Sequence, residues 1–101
     1  MRFPVTFAES AVRDLEDLRD WYRGQGAPEV GARLVVEVIE STEQLAEFPD
    51  SGRVVPEFGT PWLRELVRPP FRIVYRLDEN RARVVRVWRS ERMMQEPQGN
   101  A

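Results

Sequence analysis

Between Pro61 and Leu77 apolar and polar residues alternate, with one interruption at Pro69-Pro70. A period of two is the pleat of a strand, so this run predicts two antiparallel strands. The proline pair lacks N–H donors and suits the connection between them. In the second strand the alternation sends Phe71, Ile73, Tyr75 and Leu77 to one face and Arg72, Val74 and Arg76 to the other. The first set is the expected core side; the second places guanidinium groups on the opposite side. After a turn at Asp78-Glu79-Asn80, residues 83–89 predict a last strand with Val85 and Val87 inward and Val84, Arg86 and Trp88 outward. Phe3, Val5 and Phe7 alternate in the same way near the N-terminus, and Pro4 marks that strand as a sheet edge.

Elsewhere the period lengthens. Val12, Leu15, Leu18 and Trp21 or Tyr22 recur every three to four residues, which predicts a helix from about Ala8 or Ser10 to Arg23 with Ser10 as candidate N-cap and Asp14, Asp17 and Asp20 outward. Gly24, Gly26 and Pro28 break it. A second helix follows to about Glu47, with Val35, Val38, Ile39, Thr42, Leu45 and Ala46 on one stripe, and Phe48-Pro49-Asp50-Ser51-Gly52 ends it. Residues 53–60 read as a loop with a brief extended start. The order β-α-α-β-β-β predicts an α+β fold, a two-helix hairpin on one face of a mostly antiparallel sheet whose other face is open. The expected domain is residues 1–93, with 94–101 a disordered tail.

Composition narrows the chemistry. The chain has no Cys and no His, which removes thiolate chemistry, the commonest general base and the usual zinc ligands. No cofactor or metal is expected. Nothing near the N-terminus reads as a signal peptide and no apolar run is long enough to span a bilayer, so the expected location is the cytoplasm, away from membranes. Net charge is −2, yet residues 1–50 hold 5 Arg and 11 acidic residues while residues 51–101 hold 10 and 6. The helices are acidic and the sheet is basic. All fifteen cations are Arg, which fits either bidentate recognition of phosphate or carboxylate or the codon bias of a GC-rich genome.

Arg72, Arg76 and Arg86 on the open face, with Arg89 and Arg92 beyond it, form the candidate site. Such a cluster can grip an anionic partner or stabilise a phosphorane. It can equally be a salt-bridged sheet face with Glu65 as its neutraliser. Val74, Val84 and Trp88, apolar among arginines, are candidate partner contacts. Glu57 has no assigned role.

Taken in order, Val5-Thr6-Phe7, Asp14-Leu15, Trp21-Tyr22, Phe48-Pro49, the run from Gly52 to Gly59, Arg64-Glu65-Leu66-Val67, the run from Phe71 to Arg76, and Val85-Arg86-Val87-Trp88 with Arg92 resemble the RelE/ParE superfamily of type II toxin–antitoxin toxins, its ParE (plasmid stabilisation) branch in particular. The resemblance implies a toxin neutralised by a cognate antitoxin whose C-terminal segment wraps the helices and sheet. ParE members inhibit DNA gyrase, whereas RelE members cut mRNA on the ribosome. RelE-type cleavage uses basic groups on the first strand of the central hairpin, an Arg on the next, an Arg after the last strand and a C-terminal Tyr or His. Here Arg72 and Arg92 match the two arginines. Leu63 and Glu65 stand where the basic pair would be, and no Tyr follows Arg92. Many ParE-like chains carry His after the last-strand Trp, where this one has Arg89. The expectation is therefore a non-enzymatic gyrase inhibitor with no catalytic residue, meeting DNA only through gyrase or the antitoxin. The target would touch Arg72, Arg76, Arg86, Arg89 and Arg92, and the antitoxin Val74, Val84 and Trp88. The alternatives are a RelE-like mRNA endonuclease and a degenerate member that binds antitoxin without toxicity.

Overall fold

The computed structural model describes residues 2–89. Strand β1 (Val5–Phe7) leads into α1 (Glu9–Gly24) and α2 (Pro28–Thr42), with a 3-10 turn over Glu43–Ala46. Strands β2 (Arg53–Val54), β3 (Leu63–Arg68), β4 (Phe71–Leu77) and β5 (Ala82–Arg89) follow. They form a five-stranded sheet in the order β1-β5-β4-β3-β2, parallel only between β1 and β5. This is the α+β layout that the periodicities predict, with one more strand: the extended start at Arg53 pairs with β3. The expected second helix shortens, because its last residues tighten into the 3-10 turn. Arg92 and the expected tail of residues 94–101 lie outside the described residues.

The helices cover one face. Ala11, Leu15, Val38 and Leu45 pack onto Leu66, Phe71, Ile73, Tyr75, Ala82, Val84 and Val87. Tyr75 is fully buried; its hydroxyl donates to Pro49 O at 2.8 Å and accepts from Gly52 N at 2.9 Å. That ring fixes Gly52, where an added Cβ would lie 2.6 Å from Tyr75 Cε1 and 2.7 Å from Glu65 O.

Two inferences from strict alternation are corrected here. In β5, Val74 lies opposite Arg86 but Tyr75 lies opposite Val84, so Val85 is an extra residue, a β-bulge. The bulge resets the phase of the strand: Val84 faces the helices with no exposed surface, and Val85 is only half-buried. The second correction concerns the far face, which is not open. Val55 and Val74 are both buried there, and Glu57 and Trp62 of the β2–β3 loop contact Arg72 and Arg76. Val74, expected as an exposed partner contact, is 2 % exposed.

Candidate functional site

The far face is organised by a chain of charges. Arg72 and Glu65 project from adjacent strands β4 and β3 to the side away from the helices, and the loop after β2 brings Glu57 over them. Arg72 Nε donates to Glu65 Oε1 at 2.6 Å. Its two terminal nitrogens grip Glu57 in a fork, 2.7 Å to Oε2 and 2.8 Å to Oε1. Glu65 also accepts from Arg53 Nε at 2.7 Å. The Arg72 side chain is 9 % exposed and that of Glu65 is fully buried. Two carboxylates thus meet two guanidiniums, and neither carboxylate of the buried centre lacks a cation. The Arg72 hydrogen bond holds Glu57 at a pKa of about 2, well below the usual 4.5. Glu57 and Glu65 in turn push Arg72 above its ordinary value.

Arg86 is held differently. Strand β1 covers only Ala82–Val84 of β5, and α1 supplies partners along the edge beyond it. Ala8 N donates to Val84 O, Ser10 Oγ donates to Val85 O at 2.6 Å, and Val87 N donates to Asp14 Oδ2 at 2.8 Å. Asp14 also takes both Nε and Nη2 of Arg86, which raises the guanidinium pKa. Ser10 therefore satisfies the bulge and does not cap its own helix, whose N-cap is Ala8. Such coverage blunts an edge that would otherwise invite another strand.

Of the expected cluster, Arg72 is enclosed and ion-paired, and Arg86 is exposed and paired with Asp14. Arg76 is exposed, with its guanidinium 4.8 Å from the centroid of the Trp62 ring. Arg86 sits 5.2 Å from the Trp88 ring. Arg89 is half-buried at the end of β5. Arg83, absent from the expected set, lies directly opposite Arg76, and like charges directly opposite each other across a ladder cost stability. Trp88 stays on the far face opposite Arg72, as expected. Apolar surface is left uncovered in a groove of about 410 Å³ formed by β1, α1 and α2. Phe7, Val12, Leu15, Val35 and Ile39 line it together with Glu16 and Arg19. Among the described residues no group of three His, Cys, Asp or Glu side chains converges to hold a metal ion.

Residues 5–94 match the family model of the ParE toxin of the type II toxin–antitoxin system parDE. The chain belongs to the ParE toxin family. It is also 33 % identical over 90 residues to Toxin RelE2 of Caulobacter vibrioides, spanning 88 % of this chain and 97 % of that protein. Its fold is shared with the chromosomal ParDE system from P. aeruginosa, at a TM-score of 0.72 and 23 % identity over 87 % of this chain and 96 % of that one. The RelBE2 toxin–antitoxin complex from Mycobacterium tuberculosis aligns at a TM-score of 0.65 and 21 % identity, over 88 % and 99 %. The fold thus occurs under both ParE and RelE names.

Two residues that hold the arginines of the far face escaped the sequence reading. Glu57 lies in a loop, where no period announces its direction. Asp14 shares the outward helical spacing of Asp17 and Asp20, and only the docking of α1 along β5 distinguishes it. The one available signal was the excess of arginine over acid in the sheet, which asks for neutralising carboxylates without saying which.

Proposed function

We propose that this ParE-family toxin acts by protein contact as an inhibitor of DNA gyrase, in the cytoplasm, and is kept inactive by a cognate antitoxin. The observation that carries the non-enzymatic reading is the engagement of Arg72. Three of its five N–H donors point at Glu57 and Glu65. The arginine that matches the RelE nuclease position thus holds two carboxylates of its own chain. With no His in the sequence and Leu63 and Glu65 in place of a basic pair, the surroundings of Arg72 lack an imidazole base, and its own charge is met by Glu57 and Glu65; acid–base help alone is worth about 10²–10⁴ in rate. Arg76, Arg83, Arg86 and Arg89, with Trp62 and Trp88, remain as candidate contacts for the target. The groove containing Val12 and Ile39 fits an apolar segment of the antitoxin, a role in which Val74 and Val84 are replaced because they are buried.

Adding purified toxin to gyrase and relaxed plasmid tests this. Supercoiling should be blocked or cleaved DNA should accumulate, and prior addition of the antitoxin should prevent both. Unimpaired supercoiling at a large molar excess of folded toxin would refute the gyrase reading. The second reading, a RelE-like endonuclease, is favoured by the relative named Toxin RelE2, and it requires Arg72 to be released from Glu57.

A further inference from the structure

We infer that Glu57 is the built-in occupant of an oxyanion-binding site whose fork is Arg72, and that residues 55–62 form the strap that carries this occupant. A forked guanidinium facing both oxygens of a carboxylate, at 2.7 and 2.8 Å, is the arrangement in which Arg takes an external carboxylate or phosphate. Three observations separate this pair from a plain loop anchor.

The fork does not depend on Glu57 for its position. Arg72 Nε is tied to Glu65, Glu65 is tied to Arg53, and Glu65 has no exposed surface. A guanidinium held from behind stays oriented when its front partner leaves. The strap, for its part, does not depend on the fork. Val55 is fully buried and its N–H donates to Leu63 O, while Phe58 N and Gly59 N both donate to Val55 O. Gly59 supplies the positive φ of 60° that closes the turn, and Trp62 stacks with Arg76 at the far end. Finally, the Glu57 side chain is 40 % exposed while that of Arg72 is 9 % exposed. The occupant therefore lies between the fork and solvent, where an external anion would enter. Arg53, Arg76 and Arg83 on the same face favour an anion there. The inference bears on the target as well, because the endonuclease reading requires Glu57 to leave this same fork and the gyrase reading does not.

Removing the occupant tests the inference. Glu57→Ala, Glu57→Ala/Arg72→Met and the unaltered chain are melted in sodium phosphate, sodium acetate and sodium chloride at equal ionic strength. A ligand that binds only the folded state raises the midpoint. The expected result is a rise of several degrees for Glu57→Ala in phosphate or acetate over chloride, with none for the unaltered chain or the double variant. A larger response to phosphate identifies phosphate esters as the natural anion, and a larger response to acetate identifies carboxylates. If Glu57→Ala does not fold, Glu57→Gln is titrated with the same anions while the Arg72 Nε–H resonance is followed, and a saturable shift is expected. A folded Glu57→Ala indifferent to both anions, a response that survives Arg72→Met, or an unmoved Arg72 resonance in Glu57→Gln would overturn the inference.

Discussion

Tyr75→Phe removes one oxygen from the centre of the sheet, and the consequence can be worked from its two hydrogen bonds. Gly52 is buried, so its N–H loses the 2.9 Å acceptor without gaining water. Pro49 is half-exposed, so its carbonyl, 2.8 Å from the hydroxyl, can take a water instead. One stranded buried donor costs about 1–3 kcal/mol and the rehydrated carbonyl close to nothing, so the expected loss is about 2 kcal/mol. In a domain of this size that lowers the melting temperature by roughly 8–16 °C. The damage should extend beyond the ring, because Gly52 immediately precedes Arg53, the cation that steadies Glu65. Urea unfolding followed by circular dichroism reads the effect as a lower midpoint with an unchanged slope. Gly52→Ala should cost more, since its new Cβ meets both the ring and the Glu65 carbonyl. A Tyr75→Phe variant within about 0.5 kcal/mol of the parent would refute the reasoning, because surface substitutions away from such features have effects of that size.

Val84→Ala should lower stability by about 2 kcal/mol in the same assay, from lost methyl burial and a residual void; an effect near zero would return Val84 to the surface. Asp14→Ala should cost about 1–3 kcal/mol by stranding Val87 N–H and freeing Arg86, and Asp14→Asn, which keeps an acceptor, should recover part of it. Because Glu57 is held at about 2 in the folded chain against 4.5 otherwise, its contribution is complete above pH 4.5 and lost as pH falls towards 2. Urea midpoints between those pH values should fall less steeply for Glu57→Gln than for the parent; parallel curves would show that the pair does not act. Ile39→Asp, in the exposed groove, should weaken antitoxin binding by at least about 1 kcal/mol in calorimetry while leaving the melting temperature nearly unchanged.

The elements themselves were legible in the sequence because alternation and helical spacing are local. The core faces of β4 and of both helices follow from them, with Ile73, Tyr75, Leu15 and Val38 buried. In β5 the inward Val87 and the outward Arg86 and Trp88 followed, but Val84 and Val85 did not, because a single extra residue at Val85 inverts the phase ahead of it, and no composition cue marks it. The candidate site was half legible. Alternation placed Arg72 and Arg76 on the far face, and Glu65 was foreseen as a neutraliser. Whether Arg72 meets solvent or a carboxylate depends on where the 55–62 loop comes to rest, a tertiary outcome without a period. The same holds for Asp14, whose partner Arg86 is 72 positions away.

If Arg72 holds the far face together and not a scissile phosphate, the decisive measurement is primer extension on ribosome-bound mRNA after the toxin is added to a translating extract in which the same toxin blocks gyrase. The expected result is full-length transcripts with no toxin-dependent ends. New ends that appear within translated codons, require the ribosome and disappear when antitoxin is added would contradict the account and make Arg72 a reacting group.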